Sequence, residues 1–142
     1  MAKIRVVAAE FVTSAASAAG LLQTPLPELA FAGRSNVGKS TLINALAGRT
    51  LARTSAAPGK TRLANYYRLQ PDRGRAFHLV DLPGYGYASG PRNESETWRA
   101  MVEGYLLGRP TLRTVFVLVD AGADRVVGIA ATFWLMGGGL GL

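Results

Sequence analysis

The segment Gly33–Ser40 constrains the fold of this chain more than any other part of the sequence. It reads GRSNVGKS, which fits the pattern G-x-x-x-x-G-K-[S/T] of a phosphate-binding P-loop. Its glycines let successive N–H groups face an anion, Lys39 can reach the terminal phosphates, and the Ser40 hydroxyl can ligate Mg²⁺. An apolar strand at 29–32 and a helix from 41 to 46 give the strand–loop–helix context that the motif requires. The alternative, a glycine-rich turn that matches by chance, is disfavoured by these flanks.

The composition limits the kinds of protein that this chain can be. Its 142 residues are enough for one domain with a core. The absence of cysteine excludes a disulfide framework, and the single histidine, His78, excludes a histidine-rich metal cluster. Residues 6–19 imitate an export signal, but Glu10 interrupts their apolar middle, so we expect a cytoplasmic protein.

The positive charge is concentrated in one interval of the chain. The net charge is +7, and no acidic residue lies between Glu28 and Asp72. A solvated basic face is one explanation for this interval. The other is a surface that meets RNA phosphates near the nucleotide. The basic residues of the interval are Arg34, Lys39, Arg49, Arg53, Lys60, Arg62 and Arg68.

Two segments downstream of the P-loop are candidates for nucleotide contacts. Proline and glycine make Thr50–Arg62 a loop, and a threonine there can close over Mg²⁺ and the last phosphate. We predict an antiparallel hairpin formed by residues 63–69 and 76–80. Its second strand is followed, at the carboxyl end, by Asp81-Leu82-Pro83-Gly84. Asp81 is therefore a candidate Mg²⁺ partner through water, and the Gly84 N–H a candidate donor to the terminal phosphate. An exposed threonine and an ordinary turn are the alternatives.

The remaining periodic segments complete an α/β prediction. Trp98, Met101, Val102, Tyr105 and Leu106 form an apolar helical stripe that we assign to the core. Residues 114–120 form a nearly continuous apolar strand, as in a parallel sheet buried on both faces. We predict a three-layer P-loop sheet of about four strands. Their order is the hairpin edge strand, the Asp81 strand, the P-loop strand and the 114–120 strand, which lies at the other edge unless the tail covers it.

These motifs, in this order, resemble those of a known family. They are GRSNVGKS at Gly33–Ser40, TSAAPGKTR at Thr54–Arg62, DLPGYGYA at Asp81–Ala88 and VLVDA at Val117–Ala121. The chain is similar to the EngB (YihA/YsxC) family of bacterial ribosome-biogenesis GTP-binding proteins, which are Era-like P-loop GTPases. The resemblance covers about Phe11 to Asp124.

The resemblance implies a site residue by residue. Lys39, Thr61 and Gly84 would serve catalysis. Ser40, Thr61 and, through water, Asp81 would hold Mg²⁺, and Asn36 matches a position that helps to bind K⁺ in related GTPases. The residues that would contact GTP or GDP are Gly33, Arg34, Ser35, Asn36, Val37, Gly38, Lys39, Ser40, Gly59, Lys60, Thr61, Arg62, Leu63, Asp81, Leu82, Pro83 and Gly84.

The resemblance also implies a cellular role. The family is associated with late assembly of the large ribosomal subunit, through rRNA and ribosomal proteins, and with cell division and septum formation. We expect a cytoplasmic monomer. Tyr85 stands where Ras-type enzymes place a water-orienting glutamine, so the resemblance implies slow GTP hydrolysis.

The chain departs from the family after Asp124. The guanine-reading motif T-K-x-D is absent, so the residues present do not support guanine over adenine. We therefore divide the chain into a partial G domain at 1–125 and an aberrant apolar, glycine-rich tail at 126–142. The tail carries no charge and looks unlike the family's amphipathic helix, so we favour a C-terminal truncation or frameshift. A membrane span is the alternative, and it is disfavoured because the apolar run is only marginally long enough and its glycine-rich end forms helix poorly.

Two other interpretations of the whole chain are left open. The first is a non-hydrolysing fragment that binds phosphate or RNA through the basic interval. The second is a truncated product without function, in which the motifs survive only as sequence.

Overall fold

The computed structural model describes residues 3–33, 38–52, 63–84, 100, 102–120 and 126–132. Within these ranges a single six-stranded sheet is flanked by two helices, α1 at Lys39–Ala47 and α2 at residues 102–108. The strands are β1 Val6–Ala15, β2 Glu28–Gly33, β3 Ala64–Pro71, β4 Phe77–Asp81, β5 Leu112–Asp120 and β6 Val126–Thr132. A short 3-10 turn, Ala18–Gly20, follows β1.

The centre of the sheet has the predicted order. The strands run β1-β3-β4-β2-β5-β6, so the hairpin strand β3, then β4, β2 and β5 are neighbours as expected from the sequence. β2 pairs in parallel with both β4 and β5, whereas β3 and β4 form an antiparallel hairpin. Gly74 has a φ of +89° in the hairpin turn, which favours glycine.

The N-terminal strand β1 was not predicted. It pairs antiparallel with β3, from Val6 opposite Pro71 to Ala15 opposite Ala64. The strand pattern in its sequence is weak because alanines interrupt the β-branched and aromatic residues. In the structure, Val7 and Phe11 of this strand are exposed. β1 is a strand because it pairs with β3, whose central tyrosines are buried, and not because its own residues strongly favour a strand.

β5 is not an edge strand, because the tail covers it, which is the exception that the sequence analysis left open. β6, which comes from the tail, pairs antiparallel with β5 from Thr114 opposite Thr132 to Asp120 opposite Val126. An unpaired β5 would expose a row of backbone N–H and C=O groups. The charge-free residues of β6 satisfy those groups, so this part of the tail extends the sheet.

The core consists of two clusters on opposite faces of the sheet. Consecutive residues of β2, Ala30 and Phe31, are almost fully buried and belong to different clusters, because neighbouring strand residues face opposite sides. The Phe31 cluster includes Ile43 of α1, and the Ala30 cluster includes Tyr105 of α2. One helix on each face gives the predicted three-layer α/β architecture.

Helix α2 presents the predicted apolar stripe to the core. Tyr105 is buried and Leu106 packs against the Ala30 cluster, whereas Leu107 is exposed. Trp98 and Met101 of the same predicted stripe lie outside the described residues. In the part of the chain that the structure describes, neither helix has the length and apolarity that crossing a bilayer requires.

A buried carboxylate, that of Glu28, joins α2 to the start of β2. Its side chain has no solvent exposure. Arg109 donates from Nε and Nη2 at 2.7–3.0 Å, while the hydroxyls of Tyr105 and Thr111 donate at 2.6 Å. Arg109 Nη2 also donates to the backbone carbonyl of Leu22. Burial, together with the charge of Glu28, raises the pKa of Tyr105, so its hydroxyl remains a donor.

We expect the Glu28→Ala substitution to lower the free energy of unfolding by about 3–5 kcal/mol, because it leaves the Arg109 guanidinium buried without its carboxylate. Urea denaturation measures the loss. The matched control is Glu10→Ala, which removes an exposed carboxylate 4.0 Å from Arg68 and should cost less than about 1 kcal/mol. Equal losses in the two variants would contradict the importance of the buried cluster.

We expect His78 to make the stability of this fold depend on pH. It is buried on β4, its Nδ1 atom has no hydrogen-bond partner among the described residues, and its ring packs edge-on against Tyr66. Burial lowers the pKa of His78 below its usual 6.5, with the Glu28 charge opposing the shift. The unfolded chain therefore binds the proton more readily than the folded chain.

It follows that the contribution of His78 to stability is complete above its unfolded pKa and is lost as the pH falls toward the folded pKa. We expect the unfolding free energy of the wild type to decrease between about pH 7 and about pH 5 relative to that of His78→Leu. Urea denaturation at both pH values checks this. Parallel pH profiles for the two proteins would show that His78 does not carry the effect.

Candidate phosphate-binding site

The turn that enters α1 is described at its two ends, Gly33 and Gly38. Gly33 is the last residue of β2, and Gly38 precedes the helix with φ 103° and ψ 17°, in the left-handed region. The Gly38 carbonyl accepts the first helical hydrogen bond, from Leu42 N at 3.0 Å. A β-carbon is disfavoured at such a φ, which accounts for glycine at this position. Four predicted contacts lie outside the described residues, namely Arg34, Ser35, Asn36 and Val37.

The N-terminus of α1 carries no compensating negative charge of its own. Gly38 offers no side-chain cap, and the first turn contains no acidic residue. The first N–H groups of a helix have no intrahelical acceptor, and the helix dipole is positive at that end. This end of α1 is therefore suited to an anion such as a phosphate.

Lys39 lies between α1 and the end of β4. Its Nζ donates to Asp81 Oδ1 at 3.0 Å and to the Leu82 carbonyl at 2.7 Å. Only 11% of the Lys39 side chain and 12% of the Asp81 side chain are exposed. The lysine ammonium is thus held, largely desolvated, at the carboxyl edge of the central strands.

Asp81 is a buried carboxylate at the same edge. Burial raises the pKa of Asp81 above its usual 3.8, and the nearby Lys39 ammonium partly opposes the shift. Asp81 is opposite Phe31 of β2, and the next residue, Leu82, donates its backbone N–H to the Phe31 carbonyl at 3.0 Å. These contacts place the end of β4 beside the strand that leads into the P-loop.

The structure brings one half of the predicted site together. Leu82 and Pro83 are buried after Asp81, and Gly84 is half-buried. Leu63 directly precedes β3, in which Asn65 is opposite Asp81, so it lies at the same edge. The site residues within the described ranges are Gly33, Gly38, Lys39, Ser40, Leu63, Asp81, Leu82, Pro83 and Gly84. Those of the second predicted segment that lie outside them are Gly59, Lys60, Thr61 and Arg62.

The donor set at this edge fits Mg²⁺. Ser40 is half-buried in the first turn of α1, next to Lys39, and Asp81 supplies a carboxylate. Mg²⁺ prefers hard oxygen ligands and commonly combines one or two protein oxygens with water and phosphate oxygens. Ser40 would supply a hydroxyl oxygen, and Asp81 would act through water.

One polar residue at the other end of α1 was not predicted from the sequence. The side chain of Asn44 forms three hydrogen bonds with the backbone of Leu51 and Ala52. An asparagine four residues before a glycine, near the end of a helical pattern, is the only signal that the sequence offers for this role.

The fold and this edge of the sheet place the chain in the class of P-loop nucleotide-binding α/β proteins. A family model described as "50S ribosome-binding GTPase" matches residues 28–132. The chain belongs to this family of P-loop GTPases.

Curated relatives confirm the resemblance to EngB proteins. The chain is 54% identical over 114 residues to a "Probable GTP-binding protein EngB" of Hyphomonas neptunium, covering 80% of this chain and 51% of the relative. It is 50% identical over 119 residues to the protein with the same description in Desulforamulus reducens, covering 83% and 57%. A solved structure of a probable GTP-binding protein engB aligns at 30% identity with a TM-score of 0.48, over 66% of this chain and 48% of that one.

The chain spans about half the length of the curated relatives that it matches. The aligned part extends over about 80% of this chain.

We expect Gly38→Ala to destabilise the protein by about 1–2 kcal/mol, because a β-carbon is strained at φ 103°. The matched control is Gly108→Ala at the end of α2, where an added β-carbon meets no atom within 4 Å and no positive φ is required. Alanine there should be neutral or stabilise by up to about 1 kcal/mol. Urea denaturation compares them. A Gly38→Ala variant as stable as the wild type would contradict the assigned backbone geometry.

Proposed function

We propose that this chain binds GTP and GDP together with Mg²⁺, hydrolyses GTP slowly and acts in assembly of the large ribosomal subunit. The observation that carries the proposal is the placement of Lys39. Its ammonium group lies at the uncapped start of α1 and contacts the end of β4 through Asp81 and Leu82. A cationic lysine at a helix N-terminus, beside a buried carboxylate, suits the terminal phosphates of a nucleotide and their metal ion.

In this proposal each described residue has one task. Lys39 exchanges its contact with Asp81 for the β- and γ-phosphates, as a point charge. The backbone N–H groups from Gly38 onward bind phosphate oxygens. Mg²⁺, held by Ser40 and by Asp81 through water, would neutralise phosphate charge. The Gly84 N–H, which follows the buried Leu82 and Pro83, would donate to the terminal phosphate.

Hydrolysis is expected to be slow. We propose in-line attack by water on the γ-phosphate, with Lys39, Thr61 and Gly84 stabilising the developing charge. Tyr85 lacks the paired amide donor and acceptor with which glutamine orients an attacking water. Asn36 is proposed to help hold K⁺ beside the phosphates, so that hydrolysis depends on K⁺.

A large-subunit partner is supported by the printed description of the family and by the charge of the chain. The family is described as ribosome-binding, and the net charge is +7. Arg49 and Arg68 of the basic interval are on the described surface, both exposed. We propose that this surface meets rRNA or ribosomal proteins, that the chain acts as a cytoplasmic monomer, and that its role extends to cell division and septum formation.

The preference for guanine depends on the relatives. They are described as GTP-binding proteins, whereas the sequence lacks the T-K-x-D motif. A fragment that binds phosphate or RNA without hydrolysis is the second candidate, favoured by the basic interval around the P-loop.

Competitive calorimetric titration with GTP, GDP and ATP in the presence of Mg²⁺ tests the proposal. We expect GTP and GDP to bind and ATP to compete poorly. Lys39→Ala should weaken binding on the order of tenfold or more, since it removes the cation for the terminal phosphates. Lys3→Ala, which changes an exposed lysine at the N-terminus, is the control and should leave binding unchanged.

Weak and equal binding of all three nucleotides would contradict guanine recognition and support the fragment interpretation. Turnover of GTP in K⁺ and in Na⁺ tests the remaining part of the proposal. Fast hydrolysis that is the same in both salts would contradict the roles assigned to Tyr85 and Asn36.

A further inference from the structure

The edge of the sheet opposite the P-loop carries a row of exposed arginines. β2, β4 and β5 run parallel, so all three begin at this edge, and the P-loop leaves β2 at the other. β1 also begins here and β3 ends here, because Val6 is opposite Pro71 in their antiparallel pairing. Within the described residues, the exposed arginines at this edge are Arg5, Arg73, Arg75 and Arg113. We call these residues the arginine edge.

The charge of the arginine edge is not neutralised by neighbouring carboxylates. None of its arginines forms an ion pair with another described residue. Asp72 is exposed in the hairpin turn, but it exchanges hydrogen bonds with the backbone of Arg5, at 2.7 Å from its N–H and at 3.2 Å to its Oδ1. Glu28, at the start of β2, is buried and paired with Arg109. The edge therefore presents an excess of positive charge to solvent.

The arginines keep free donors and are spread along the edge. Arg75 donates from Nη2 to the Pro25 carbonyl at 3.4 Å, and Arg113 donates from Nη1 to the Pro110 carbonyl at 2.9 Å. Each contact uses one nitrogen and leaves the other N–H groups of the guanidinium for a ligand. From β1 to β5 the edge crosses four strand spacings, which is about 19 Å. A row of this length fits a ligand with several anionic groups.

We propose that the arginine edge binds the phosphate backbone of RNA in the large ribosomal subunit. This inference rests on the ribosomal partner of the proposed function and adds the surface and the chemistry of the ligand. Arginine donates paired hydrogen bonds to phosphate from a planar fork, so a row of arginines without carboxylate partners suits an RNA backbone. Contacts of this kind hold and orient a nucleic acid without reading its bases.

The arginine edge and the candidate phosphate site lie at opposite ends of β2. The strand has six residues, so about 20 Å of sheet separates the two sites. RNA at one edge and a nucleotide at the other can therefore be bound at the same time. Substitutions in the arginine edge should weaken RNA binding and leave GDP binding unchanged.

The test is filter binding of the full chain to radiolabelled, protein-free rRNA of the bacterial large ribosomal subunit, over a series of KCl concentrations. The variant combines Arg5→Gln, Arg73→Gln, Arg75→Gln and Arg113→Gln. It should lose on the order of a hundredfold in affinity, and its plot of log affinity against log KCl should be shallower by roughly 3, because each phosphate contact releases counterions. The urea midpoint of unfolding shows whether the variant is folded.

Lysine at the same positions is the matched control. It keeps the charge, so it should retain most of the affinity and of the salt dependence of the wild type. Failure of the lysine variant to bind would show that the loss in the glutamine variant does not come from charge.

A second comparison locates the site. Arg73→Gln with Arg75→Gln removes the same charge as Arg49→Gln with Arg68→Gln. Arg49 donates to the Ala9 carbonyl at 3.3 Å, and Arg68 lies 4.0 Å from the Glu10 carboxylate, so both have local partners. We expect the first pair to weaken rRNA binding about tenfold and the second pair less than about threefold.

The outcomes separate this inference from the proposed function. If the glutamine variant binds rRNA as tightly as the wild type, or if the two paired variants weaken binding equally, the inference fails while the ribosomal partner stands. If the wild type binds intact large subunits but not protein-free rRNA, the ligand is a ribosomal protein and the RNA assignment is overturned. If the wild type binds neither probe, the ribosomal partner and the inference fail together.

Discussion

The parallel pairing of β2 with β4 is the constraint on which the rest of the site depends. Parallel neighbours end at the same edge of a sheet, so the residues after both strands meet there. β2 leads into the P-loop and β4 ends at Asp81, which brings Lys39 Nζ within 3.0 Å of a carboxylate 42 positions away in the chain. The Leu82 N–H bond to the Phe31 carbonyl extends the same pairing one residue past β4. Changes in this register would separate the lysine from the carboxylate.

The opposite end of β2 carries the polar cluster that secures the fold. Glu28 begins the strand and Gly33 ends it, so a buried ion pair and a candidate phosphate site lie at the two ends of six residues. Arg109 stacks near the rings of Tyr66 and Tyr105, and its contacts with Glu28 fix the end of α2 to the sheet.

Local patterns predicted the middle of this protein well and its edges poorly. The order β3-β4-β2-β5 and the position of Asp81 at the carboxyl end of β4 follow from motifs whose spacing has a physical cause. β1 and β6 have weak or misleading composition, and their pairing depends on partner strands that no local window contains. The same holds for Glu28, which reads as a surface residue until Arg109, 81 positions later, packs against it.

Helix α1 is too short to hold its own position. A helix of nine residues is marginal in water, so its placement depends on packing at Ile43 and Ala47 and on polar contacts at both ends. At one end Lys39 contacts β4, and at the other Arg49 donates to the Ala9 carbonyl of β1 while Asn44 holds Leu51 and Ala52. The position of the helix is thus determined by its contacts with β1, β2 and β4 and with the segment at Leu51 and Ala52.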